Sequence, residues 1–163
     1  MLKHLTNKIV IIFLILSSFC CKSTFYGKVI GIKDGDTIEI LTMQKKTITI
    51  RLNGIDAPEK NQAYGQKSKE NLSYLIFGRR VKIASTGHDR YGRLLADIYI
   101  DSKNVNYLQV AEGFAWHYKK YSDDKNLERL EKQARKNKKG LWKDKYPIPP
   151  WDFRKPKEET LIH

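Results

Sequence analysis

Between Thr24 and Leu52 the chain alternates β-forming runs with turn signals, at a spacing that leaves no room for a helix. Thr24–Ile32 and residues 37–41 are rich in β-branched and aromatic side chains, and Asp34-Gly35 between them suits a tight turn. Thr47–Leu52 then alternates cleanly, with Ile48, Ile50 and Leu52 on one face and Thr47, Thr49 and Arg51 on the other. A strand built this way buries one face only, so Arg51 is predicted to point away from the core-facing side.

The remainder extends this beginning. Residues 53–59, Asn-Gly-Ile-Asp-Ala-Pro-Glu, read as a loop broken by Gly and Pro. Residues 62–77 are predicted to be helical, with Leu72, Leu75 and Ile76 at helical spacing and Gly78 just past the end. Residues 79–85 and Leu94–Ile100 read as two further strands, joined through a turn at 87–92. A short helix is expected over 105–112 with Gly113 behind it, and a third over 123–137, where Leu127, Leu130 and Ala134 mark the apolar face. Pro147, Pro149, Pro150 and Pro156 then predict a Pro- and charge-rich tail over 147–163, extended or ordered only on contact. Five short strands with about three packed helices predict an α+β, mainly β fold: an OB-like five-stranded barrel occupying residues 22–146. At 163 residues the chain is too short for two full enzyme domains.

The amino terminus is set apart. Lys3 and Lys8 precede an unbroken apolar run over 9–16, well short of the ~20 residues a spanning helix needs. Residues 1–21 therefore read as an export signal. Both cysteines, Cys20 and Cys21, end this segment, so the domain behind it has neither an internal disulfide nor a cysteine-based metal site. Either the signal is cleaved, or Cys20 carries a lipid that anchors the protein to a membrane. The expected locations are secreted, periplasmic or lipid-anchored at a surface. Removing Lys3, Lys8 and Lys22 takes the net charge from +13 to +10, so the basic bias belongs to the domain and favours polyanionic partners.

The residues suited to chemistry stand at turns and strand ends: Asp34-Gly35-Asp36-Thr37, Arg51, Asp56-Ala57-Pro58-Glu59, and Asp89-Arg90-Tyr91-Gly92-Arg93. Phosphodiester cleavage needs this combination. Hard oxygens hold Ca²⁺ or Mg²⁺, a base activates water, and cations stabilise charge growing on phosphate oxygens. Arginine suits the last task because its planar fork gives two hydrogen bonds to one phosphate. Each piece alone has a plainer explanation, as a solvated turn, a helix-start carboxylate or a surface ion pair. His88 and His117 have no partner spacing that supports a histidine mechanism.

Together and in this order, the motifs resemble the staphylococcal nuclease family. The resemblance runs from Val29 to the Asp-Gly-Asp-Thr turn, through residues 51–59 and 89–96, to Gly113-Phe114-Ala115 and Lys139-Gly140-Leu141-Trp142, covering about residues 25–142. It implies an OB-fold nuclease that needs Ca²⁺. Asp36, Asp56 and the backbone carbonyl of Ala57 would hold the metal, with Asp34 close behind them. Glu59 would be the general base, and Arg51 and Arg93 would grip the scissile phosphate. Arg90 and Tyr91 would contact the neighbouring phosphate, and Tyr118 and Tyr121 would face substrate. The implied reaction cleaves DNA and RNA by in-line attack of water and leaves a 3′-phosphate. With no base-reading module in the sequence, single-stranded or breathing regions are the expected substrates, bound by a monomer. Two other readings remain: an OB-fold module that binds nucleic acid without cleaving it, and a surface lipoprotein that binds polyanions.

Overall fold

The computed structural model describes residues 23–156; residues 1–21, read from the sequence as an export signal ending in Cys20 and Cys21, and residues 157–163 of the predicted tail lie outside the described residues. In chain order the strands are β1 (Thr24–Ile32), β2 (Thr37–Thr42), β3 (Thr47–Leu52), β4 (Ile55–Asp56), β5 (Arg80–His88), β6 (Leu94–Ile100), β7 (Lys103–Asn104) and β8 (Trp116–His117). The helices are α1 (Gly65–Ile76), α2 (Val105–Ala111), α3 (Lys125–Lys136) and α4 (Pro150–Phe153), with a 3-10 turn at Gly140–Lys143.

β1, β2 and β3 form an antiparallel meander, with Val29 opposite Ile40 and Ile38 opposite Ile50. β5 and β6 form a second hairpin, and β5 returns to pair with β1. The barrel closes where β3 runs parallel to β6, Ile50, Arg51 and Leu52 facing Leu94, Leu95 and Ala96. The result is a mainly β fold, a closed five-stranded barrel of the OB type with helices packed on it, as the sequence predicts.

The alternation is what makes the barrel close. Ile50 and Leu52 of β3, and Leu94, Ala96, Ile98 and Ile100 of β6, turn inward and are buried with Val29, Ile38, Ile40 and Ile83. Leu72 and Ile76 of α1 and Val105 and Val110 of α2 cap this core from outside. Each fully buried branched side chain contributes about 1.5–3 kcal/mol. Arg51 and Leu95 lie on the outward parity of the β3–β6 seam, and Arg93 immediately precedes β6.

Two connections matter for function. Gly35 sits so close to α1 that an added Cβ would lie 1.9 Å from Ser68 Oγ and 2.8 Å from the Ala57 side chain. Only glycine lets the Asp34–Asp36 turn rest there. Buried Gln109 ties the same turn to α1, donating to Gly35 O at 2.7 Å and Ser68 O at 3.2 Å. The second connection is the start of α1, later than the sequence predicts. Gln62 stays outside the helix because its side chain accepts from Glu59 N–H at 3.0 Å and donates to Ile148 O at 2.7 Å.

Residues 147–156, predicted as part of an extended tail, are folded against the body. Trp116, Ala134, Leu141 and Trp142 form a second apolar cluster, against which Trp151 of α4 packs. The Trp151 ring lies edge-on to Trp116, with centroids 5.5 Å apart, and parallel to Tyr118 at 5.4 Å. Sequence periodicity does not foresee this, since α4 is only four residues long.

Candidate active site

The site assembles where the β1–β2 turn, the end of β3 and the β4 strand meet. Asp36 is fixed by its own backbone and side chain together. Its carbonyl accepts from Leu52 N–H at 2.8 Å and its N–H donates to Asp34 Oδ1 at 3.0 Å. Its carboxylate accepts from the Thr37 hydroxyl at 3.0 Å and from the Ala57 amide at 2.8 Å. Asp56 stands on β4, whose pairing with β8 sets Asp56 opposite Trp116. That pairing leaves the Asp56 side chain 1% exposed.

Arg51 joins the two carboxylates. Its Nη2 lies 2.8 Å from Asp56 Oδ1 and 3.3 Å from Asp36 Oδ2, while Nη1 donates to Ile55 O at 2.9 Å. The outward face predicted for Arg51 is therefore covered, and its side chain is only 13% exposed. Burial alone would favour neutral arginine, but Asp36, Asp56 and Asp34 outweigh it and hold the guanidinium charged more firmly than usual. Burial, then the negative charge of Asp36, pushes the Asp34 carboxyl up to about 6. Burial also pushes Asp56 up, against the opposing hydrogen bond from Arg154.

Glu59 follows on the loop after Pro58, its side chain 37% exposed at the mouth of the cluster. Its carboxylate accepts a 2.6 Å hydrogen bond from Arg154 Nη1, and Arg154 Nη2 reaches Asp56 Oδ2 at 2.7 Å. Arg154 and Trp151 are the residues that sequence reasoning missed. The usable signal was a Pro-Pro start followed at once by Trp-Asp-Phe-Arg, an aromatic cluster that a solvated tail would not need.

Arg93 is organised separately at the β5–β6 tip. Asp89 accepts from the Tyr91 and Arg93 amides at 2.9 Å each and from Arg93 Nε at 2.7 Å. Burial would raise the Asp89 pKa, but these hydrogen bonds hold it below the usual carboxylate range. The Arg93 guanidinium lies 5.6 Å from the Tyr91 ring centre, and Arg90 donates to the Tyr91 hydroxyl at 2.7 Å. Arg90, Tyr91 and Arg93 thus form one cationic and aromatic tip, with Tyr91 68% exposed. Tyr118 and Tyr121 meet each other edge-to-face at 4.8 Å. Tyr118 and Trp151 share a groove of about 550 Å³ with Lys119, Lys120, Arg135 and Arg154.

Among the described residues no three His, Cys, Asp or Glu side chains form a ready-made metal cage. What the turn and β4 bring together is a pair of buried carboxylates, Asp36 and Asp56, with a third, Asp34, held neutral more easily by burial and then by the charge of Asp36. Such a donor set is all hard oxygen, and that chemistry fits a hard divalent cation.

Comparison with known proteins points the same way. The profile of the staphylococcal nuclease homologue family matches residues 49–144. The chain is 42% identical to an uncharacterized endonuclease of Haemophilus influenzae over 153 residues, covering 94% of this chain and 85% of that protein. It is 44% identical to an uncharacterized endonuclease of Escherichia coli O157:H7 over 130 residues, covering 79% and 84%. A micrococcal nuclease of Shigella flexneri is 38% identical over 142 residues, covering 80% and 81%.

Proposed function

Because the chain belongs to the staphylococcal nuclease family, we propose that it is an exported, calcium-dependent nuclease that hydrolyses phosphodiester bonds of DNA and RNA. The observation that carries this reading is the meeting of Asp36, Asp56 and Arg51 in one partly buried cluster with Glu59 at its mouth. Nucleic acid as the substrate follows from the family, and the +10 excess outside the export segment supports it.

Asp36, Asp56 and the Ala57 carbonyl are the residues that would hold Ca²⁺, which when bound supplies positive charge and orients water beside the phosphate. Glu59 takes the proton from the attacking water. Arg51 and Arg93 donate to the non-bridging phosphate oxygens and stabilise the charge that builds there. Attack in line with the 5′ oxygen breaks that bond, and the phosphate stays on the 3′ side. Arg90, Tyr91 and Tyr118 extend the contact along the strand, Tyr91 offering an exposed ring on which a base can stack. Stacking and phosphate contacts are indifferent to the sugar, and they favour single-stranded or breathing substrates. The export segment and the alternative of a lipid on Cys20 belong to the same reading, since extracellular calcium suits a site of few carboxylates.

The deciding experiment digests single-stranded DNA and RNA with purified protein in calcium and in chelator, beside Glu59→Gln. Cleavage in calcium to 3′-phosphate ends is expected, lost in chelator and reduced on the order of 10²-fold or more in Glu59→Gln. A folded protein that binds DNA but does not cut it in calcium would leave the binding module as the better reading.

A further inference from the structure

Resting on that assignment of the cluster, we infer that residues 147–155 form a strap whose Arg154 competes with the divalent cation for Asp56, so that cation binding and strap release are linked.

The contacts at Asp56 carry the inference. Oδ1 accepts from Arg51 at 2.8 Å and from Arg154 at 3.3 Å, and Oδ2 accepts from Arg154 at 2.7 Å. A carboxylate oxygen has two in-plane lone pairs, so Oδ1 is already fully used and Oδ2 half used. A hard cation takes the same lone pairs at about 2.3–2.6 Å, where it would also stand against a like-charged guanidinium. Arg51 cannot yield easily. It is 13% exposed and donates to the Ile55 carbonyl as well. Arg154 can, because its side chain is 42% exposed and it rides on a four-residue helix. The same departure frees Glu59, whose Oε1 Arg154 otherwise engages at 2.6 Å.

The remaining holds on the strap are uncharged: Gln62 to Ile148 O at 2.7 Å, and the Trp151 ring against Tyr118 and Trp116. They attach the strap without drawing on the acidic cluster. Arg154 is therefore the point at which the strap senses charge. Its release uncovers the Tyr118 face on which Trp151 lies, widening the aromatic and basic groove beside the carboxylates. Linkage makes the effect reciprocal: whatever loosens the strap tightens the cation, and the cation loosens the strap by the same factor.

The test uses the full chain and calcium chloride alone. Calorimetric titration is run on wild type, Arg154→Gln, Arg154→Lys, Asp56→Asn and Lys119→Gln, and hydrogen exchange follows the amides of residues 152–155. Arg154→Gln should bind calcium about fivefold more tightly or better, with Arg154→Lys between it and wild type. Lys119→Gln removes a groove charge that does not touch Asp56 and should change affinity less than about twofold. Saturating calcium should speed exchange at 152–155 in wild type. Unchanged or weaker calcium affinity in folded Arg154→Gln overturns the inference, and so does a strap whose exchange calcium leaves unaltered. Asp56→Asn separates the two failures. If it binds calcium like wild type, the cluster itself is misassigned; if it loses calcium while Arg154→Gln behaves as wild type, only the strap's role falls.

Discussion

Arg93 owes its position to one carboxylate. Asp89 grips its side chain at Nε and its amide at once, which leaves both Nη groups available to a phosphate. Asp89→Ala should therefore lower kcat on single-stranded DNA about tenfold without unfolding the protein, and Asp89→Asn, which keeps an acceptor for the two amides, should lose less. Steady-state kinetics with a melting curve check both. The sign of the pH effect follows from the depressed Asp89 pKa. Its stabilisation is present above the ordinary carboxylate range near 4 and is lost as pH falls through the lower folded value. The tip thus loosens only in acid. At this scale the sequence was informative for where Asp36 and Arg51 stand, because a turn and a strand parity are local, whereas Asp56, read in a loop, lies on β4. It was silent on Arg154, whose partner Glu59 lies 95 positions away.

Helix α3 shows how a single cap links elements. Asp124 accepts from the Asn126 amide at 2.7 Å and from the Tyr107 hydroxyl at 2.6 Å, joining the start of α3 to α2. Asp124→Ala should cost about 1–2 kcal/mol, read as a lower Tm, with kcat unchanged at temperatures where the variant is folded. The strands were legible for a physical reason: six or more alternating residues give a period that sequence displays. β4 and β8, two residues each, have no period to display, yet their pairing buries Asp56. The α1 start was misplaced because Gln62 has two tertiary partners that no local pattern announces.

Over the whole molecule, the excess of lysine and arginine acts as a field and only a few cations act as contacts. With about five phosphate contacts, the affinity of Glu59→Gln for a labelled single-stranded oligonucleotide should fall linearly in log–log form with salt, with a slope of about −3.5. Fluorescence anisotropy across a sodium chloride series measures it, and a flat response would contradict phosphate-led binding. The barrel adds a constraint of its own. Its closing seam is a parallel ladder only three residue pairs long, Ile50–Leu52 against Leu94–Ala96. Arg51 lies on one strand of that seam, and Arg93 immediately precedes the other. If it parts, the β2–β3 and β5–β6 hairpins remain intact while the two arginines move apart. Warming this protein should then switch it off before it melts, and cooling should restore activity with no chain to refold.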